Sequence, residues 1–270
     1  MSGSLPVYFV DAFVDRPFTG NPAAVCPLER AIDDASMQAI AAEIGFSETA
    51  FIRREAAGWT IRWFTPTLEV DLVGHATLAA AFMIFERLEP GSSEVRFDSR
   101  GGPLVATRQG ELIAMDFPAR VPVPVGVPAG LVGALGSAPA ELLAATHYLA
   151  VYREAAEIVA LRPDMARLAA LDRAAVIVTA PSTPTLGADF VSRFFAPANG
   201  VPEDPVSGVA HCSLIPYWSQ RLGKRRLVGR QLSKRGGELT CEDRGARVTI
   251  AGRAALVLEG RIVTPRNAAP

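Results

Sequence analysis

Cysteine is scarce in this chain. Its three cysteines, Cys26, Cys212 and Cys241, are scattered and odd in number among 270 residues. They support neither a disulfide framework nor a CxxC metal clamp, and they fit a reducing compartment. Net charge is scarce too, with 27 Lys and Arg against 28 Asp and Glu. That balance gives no electrostatic reason to expect nucleic acid or an acidic membrane as partner. Long apolar runs are missing: the most apolar segment, LAAAFMIF, is too short to span a bilayer. No secretory pattern precedes the strand-like run PVYFVDAFV, so a soluble cytoplasmic protein is expected. The short motifs of familiar chemistries are also absent. There is no GxGxxG after a strand, no GxxxxGKS/T and no GxSxG. No histidine or carboxylate group has metal-ligand spacing, so no metal is expected.

What the chain does have is enough apolar material to fold and a pattern that occurs twice. Hydrophobic residues make up 49% and charged residues 20%, a globular balance, and 270 positions suit two domains of ordinary size. The motif R-G-G-x-L-x5-G begins at Arg100 and again at Arg235, an offset of 135. Gly74 in VGHATLAAAF and Gly208 in SGVAHCSLIPYW stand 134 apart, and RWFTP (Arg62 to Pro66) matches RFFAP (Arg193 to Pro197) at offset 131. Three matches in the same order with a slowly drifting offset argue for two related halves.

Each half has the same grammar: strands, a Pro-containing loop, a helix, then a hairpin around RGG and a following glycine. From Gly74 to Phe85 only His75 and Thr77 are polar, so this helix is apolar nearly all round and is expected to be enclosed on every side. The helix from Ser207 towards Gly223 is similar, with Pro216 expected to kink it or remove a hydrogen bond. The expected fold is α+β, with two pseudo-repeated domains, each a sheet rolled into a barrel around a central helix. The Pro-rich stretch FPARVPVPVGVPAG places the division near residue 120, giving domains over 1–119 and 120–270, with a last strand or tail able to return to the first. A shorter amphipathic helix is expected from Asp34 to Ile44, capped by Asp33 or Asp34 and stopped by Gly45.

Both central helices begin with small residues: Gly74 in the first half, Ser207 and Gly208 ahead of Val209 in the second. A helix start exposes unpaired N–H groups and the positive end of the dipole, so if the two starts face one another they would form a carboxylate site between the domains. For one helix alone, a glycine that merely caps is the blander reading. Glu48, in GFSETAF, lies between Phe46 and Phe51. A solvated glutamate at a strand end and a buried proton-transfer carboxyl fit that spacing equally, and burial would raise its pKa towards a range useful for proton transfer. His75 heads the first helix, where it can donate or accept a proton, although taken alone a satisfied structural histidine is the blander and favoured reading. His211 reads as packing, and His147 has no recognisable chemical context. The segment EDPVSG supplies Glu203, Asp204 and Ser207, and EVDLVG supplies Glu69 and Asp71 in the first half. Nothing acidic stands opposite Glu48, whose offset of 131 falls on Thr179.

The segments FVDAFVDRPFTGNPAAV, MQAIAAEIGFSETAF, IRWFTPTLEVDLVGHATLAAA, AMDFPA and FFAPANGVPEDPVSGVAHCSLIPYW together resemble the phenazine-biosynthesis PhzF-like isomerase family, from about Val7 to Ile262. The resemblance implies a diaminopimelate-epimerase-like fold, no metal or organic cofactor, a homodimer, and proton movement on a small carboxylate-bearing molecule. It implies that Glu48 is the general acid/base and that His75 and Asp204 assist it. It also implies that Gly74 and Gly208 bind the substrate carboxylate through backbone N–H, with Ser207 and Val209 beside them. Where the family commonly has a serine after the second glycine this chain has Val209, which makes the phenazine precursor a poorer fit. The competing expectations are an amino-acid racemase or epimerase, and a binding protein of the same fold that has lost turnover.

Overall fold

A computed structural model describes residues 3–263. By their internal contacts these form two compact units, 3–116 with 251–263, and 117–250.

In the first unit the strands are β1 (Ser4–Val14), β2 (Asn21–Leu28), β3 (Thr49–Glu55), β4 (Gly58–Phe64), the two-residue β5 (Glu69–Val70), β6 (Glu94–Asp98), β7 (Leu104–Gln109) and β8 (Leu112–Pro118). Strand β1 pairs antiparallel with β2, β2 parallel with β3, and β3 antiparallel with β4. Strand β4 is parallel to β6, and antiparallel hairpins join β6 to β7 and β7 to β8. The chain's last strand, Arg247–Val263, pairs with both β1 and β8 and closes the ring at eight strands.

Helix α1 (Asp34–Ile44) lies outside this barrel and helix α2 (Gly74–Met83) is its enclosed centre. Asp33 caps α1 by accepting from the Ser36 amide, and Gly45 stops it with φ of 72°. Its buried Met37 and Ile40 pack on Phe51 and Phe64 of the sheet's outer face. Helix α2 is buried at every residue but Phe82 and packs against β1, β2 and β3. Four alanines let the strands come close to it, and the apolar circumference leaves no side suited to water.

The second unit repeats this plan. Its strands are β9 (Val123–Pro124), β10 (Glu141–Ala144), β11 (Tyr148–Val151), β12 (Val176–Pro181), β13 (Phe190–Ala196), β14 (Val201–Asp204), β15 (Arg226–Gln231) and β16 (Gly237–Asp243), followed by β17, the last strand already described. Strand β10 is antiparallel to β11, β11 parallel to β12, and β12 antiparallel to β13. Strand β13 is parallel to β15, which is antiparallel to β16, the order seen in the first unit. Helices α3 (Leu131–Leu135), α4 (Ala155–Ala160) and α5 (Met165–Ala169) cover the outer face through Leu131, Ile158 and Leu168. The enclosed helix is α6 (Gly208–Leu222).

Pro216 sits inside α6 and has no N–H to give to the carbonyl four residues back, that of Cys212. The backbone N–H of Arg120, in the Pro-rich segment, donates to that carbonyl at 2.9 Å. The lost bond is therefore replaced from outside the helix. The repeat also extends to side chains. Arg62 donates to both oxygens of Glu69 at 2.7 and 2.8 Å, and Arg193 does the same to Glu203 at 2.7 and 3.0 Å. Each guanidinium lies over the aromatic ring two residues on, Phe64 or Phe195. The repeated glycines Gly110 and Gly245 both turn hairpins with positive φ, 64° and 85°. Among the described residues no helix is long and apolar enough to cross a membrane.

Candidate active site

Glu48 stands between the end of α1 and the start of β3, and its backbone already joins the ladder: its carbonyl accepts from the Ala24 amide at 3.4 Å. Its chain neighbours are packed apolar rings, Phe46 edge-on against Phe9 at 4.7 Å and Phe51 against Phe64 at 5.6 Å. The Glu48 side chain is only 17% exposed, and its buried Oε2 makes no hydrogen bond. Burial raises its pKa above the ordinary glutamate value, with the neighbouring Ser47 hydroxyl working against the rise. The carboxyl therefore lies in a dry setting rather than on a wet strand end.

The nearest candidate partner is the imidazole of His75, with Nε2 3.3 Å from Glu48 Oε2. His75 is the second residue of α2 and 5% exposed. The residue ahead of that helix, Val73, supplies no side-chain cap. Thr77 folds back on the Val73 carbonyl through both its amide and its hydroxyl, at 3.1 and 2.6 Å. The helix thus starts at Gly74 with buried residues and no capping oxygen of its own. Glu48, His75 and Gly74 are brought together in the first unit.

Asp204, Ser207, Gly208 and Val209 form the corresponding place in the second unit, at the end of β14 and the start of α6. Here the start is capped: Ser207 Oγ accepts from the Ala210 amide at 3.2 Å. His211, one turn in, is fully buried, and its Nδ1 lies 2.7 Å from the Ser207 carbonyl. Burial pushes its pKa down to about 4, so it is neutral at ordinary pH and gives its proton to that carbonyl. His147 is also held down at about 4, by burial first and then by Arg120 and Arg173, and its ring packs on Phe194.

Strand register identifies true counterparts between the units, and it corrects one made from the offset alone. Phe51 faces Arg62 across one hairpin and Val178 faces Arg193 across the other, so Thr49 corresponds to Val176 and Glu48 to the buried Ala175. Thr179 is not the counterpart, because the chain between β12 and β13 is longer. Glu69 and Glu203 correspond through their arginines, so Asp204 corresponds to Val70, and Val209 to His75. Each unit therefore carries an acid at a position where the other is apolar.

A family model, phenazine biosynthesis-like protein (PhzC-PhzF), matches residues 10–260. The chain belongs to this family. It is similar to an uncharacterized isomerase of Pseudomonas aeruginosa, 51% identical over 258 residues that cover 96% of this chain and 98% of the relative. Among solved structures it is similar to a PhzF-family phenazine biosynthesis protein of Enterococcus faecalis, at 42% identity and a TM-score of 0.93, covering 96% of this chain and 99% of that one. A hydroxyproline epimerase from Agrobacterium vitis shares the fold at 10% identity and a TM-score of 0.61, covering all of this chain and 95% of its own. The family is thus isomerase-like and its fold is shared with epimerases. Among the described residues, no group of three or more metal-ligand side chains gathers. Sequence reasoning passed over Gln231, a buried residue that contacts the Asp204–Ser207 segment. A lone glutamine after a strand gives no signal of such a role.

Proposed function

We propose that this protein is a cofactor-independent isomerase that moves a proton on a small carboxylate-bearing substrate, with Glu48 as general acid/base. The observation that carries this reading is a largely buried carboxyl group with a raised pKa, 3.3 Å from an imidazole at an uncapped helix start. As carboxylate, Glu48 takes a proton from a carbon next to a carboxylate or conjugated system. As carboxylic acid, it returns that proton at another carbon. Burial makes the ionised form a stronger base than an exposed glutamate, which brings it nearer to the proton it must remove. His75 orients or shares the proton, and the amides at the start of α2 favour negative charge developing on the substrate. In the second unit Asp204 assists proton transfer, while Ser207, Gly208 and Val209 contribute to holding the substrate. The relative named as an isomerase supports the reaction class.

A racemase working through a pair of thiols is disfavoured by the cysteines themselves. Burial raises Cys212 to about 11, Cys26 to about 12 and Cys241 further still, so none is a ready thiolate. The test is incubation in D₂O with pooled small carboxylic acids, including dihydro-hydroxyanthranilate and common amino acids, following loss of C–H signals by NMR. Wild type is expected to exchange at least one acid and Glu48→Gln none. Equal exchange in both proteins would remove Glu48 from the chemistry. Silence in both, with ligand-induced melting shifts, would favour a binding protein.

A further inference from the structure

We propose that Gln231 is a positioning residue: its buried carboxamide holds the Asp204–Gly208 segment in the shape the reaction uses. This rests on the reading above, in which Asp204 and the start of α6 take part in proton transfer and substrate binding.

The segment has little regular structure to hold it. Strand β14 pairs with β13 at only two positions, with a register break between them, and Pro205 has no N–H to contribute. Gln231 supplies what the ladder does not. Its Nε2 donates to the Asp204 carbonyl at 2.6 Å, and its Oε1 accepts from the Ser207 amide at 3.0 Å. One planar amide thus spans the loop, tying the residue that bears the acid to the helix cap. Gln231 is wholly buried, and its own backbone is fixed in the sheet by Ser192 on β13 and Gly237 on β16. Two further struts act on the same loop. Ser233 Oγ donates to the Pro205 carbonyl at 2.8 Å and is itself held by the Gly236 amide. His211 donates to the Ser207 carbonyl, and being neutral it does so without bringing a charge into the core.

Glutamine suits this place because it needs a donor and an acceptor side by side. Glutamate has the same shape but, when ionised, only accepts, so the Asp204 carbonyl would face an oxygen. Protonation returns one donor. Side-chain packing would not distinguish the two residues, but the hydrogen-bond pattern does. The first unit has no such amide: Ser99 occupies the position corresponding to Gln231 and donates to the Gly102 carbonyl, and Gly101 packs so closely that an added Cβ would lie 2.4 Å from the Asp71 carbonyl oxygen.

The deciding experiment compares wild type with Gln231→Glu by amide hydrogen exchange over residues 204–212, alongside deuterium wash-in to the pooled acids. At pH 8 the variant's segment is expected to exchange at least tenfold faster than wild type, with the excess shrinking at pH 5 as the new carboxyl is protonated. Turnover is expected to fall tenfold or more in kcat at pH 8 and to recover in part at pH 5, each relative to wild type. Glu48→Gln should leave exchange in this segment unchanged. Unaltered exchange in Gln231→Glu overturns the inference, whether or not the wild type turns over. Faster exchange with undiminished turnover overturns it too, because the segment would then have no part in the reaction. A wild type inert toward every acid, with faster exchange still seen in the variant, would overturn the functional reading and leave the brace supported. Where Gln231→Glu does not fold, Ser233→Ala removes a single strut. Exchange severalfold faster is expected there, and no change counts against the inference.

Discussion

Replacing Glu48 by glutamine keeps the side chain's shape and removes its charge, so its effects on stability and on catalysis should have opposite signs. The side chain is 17% exposed and its Oε2 is buried without a hydrogen bond, so ionisation there is unfavourable. The folded-state pKa lies above the ordinary value of 4.5. Protonation therefore favours the folded state: the contribution is present below the unfolded pKa and lost as pH rises through the folded one. Each pKa unit of such a rise corresponds to about 1.4 kcal/mol. Glutamine, always neutral, escapes this cost. Thermal melts from pH 4 to pH 8 should show the two proteins nearly equal at the acid end. The variant should pull ahead with pH, by roughly 2–4 °C for each kcal/mol recovered. Turnover should fall by about 10²–10⁴-fold over the same range. A variant that melts at or below the wild type throughout would refute the claim that the carboxylate is held at a cost. The raised pKa would then have no structural basis.

Two further substitutions probe the second unit. Gly229→Ala would place a Cβ 2.5 Å from Phe190 Cζ and 3.1 Å from His211 Nε2, with backbone on a central strand unable to yield. It should destabilise by about 1–3 kcal/mol in denaturant unfolding, and a neutral result would mean the Phe190 ring is loosely held. His211 has its folded pKa depressed to about 4, so its contribution is present above the unfolded value near 6.5 and is lost as pH falls. His211→Asn should flatten the loss of stability between pH 6.5 and 4, by up to about 3 kcal/mol. An unchanged acid limb would show that other groups govern it.

The candidate site was legible in the sequence to different degrees, for physical reasons. Gly74, Gly208 and Ser207 could be found because helix starts depend on local backbone chemistry, which leaves small and capping residues in fixed places. Glu48 could be found only as one of two possibilities. Its spacing between Phe46 and Phe51 fits a wet strand end as well as a dry one. The choice belongs to the tertiary packing, which brings His75 to 3.3 Å and leaves the Glu48 side chain only 17% exposed. Gln231 left no trace at all, because its partners lie 24 and 27 positions away and nothing near it in the chain demands an amide.

Alone, the sequence determined the doubled plan and the two enclosed helices. A helix that is apolar all round has no stable place except inside, and a motif that recurs in order at a nearly constant offset implies a recurring unit. It also determined that Pro216 must leave a carbonyl unpaired. Only the tertiary structure decided who answers that carbonyl, the amide of Arg120 from outside the helix. Only the structure aligned Glu48 with Ala175 rather than Thr179, because an offset along the chain is blind to how long each hairpin is. The sequence left the last strand free to return to the first domain, and only the structure paired it with β1 and β8 to close that barrel. Strand pairing is a long-range choice, made by the free edges still available once the rest of each sheet has formed.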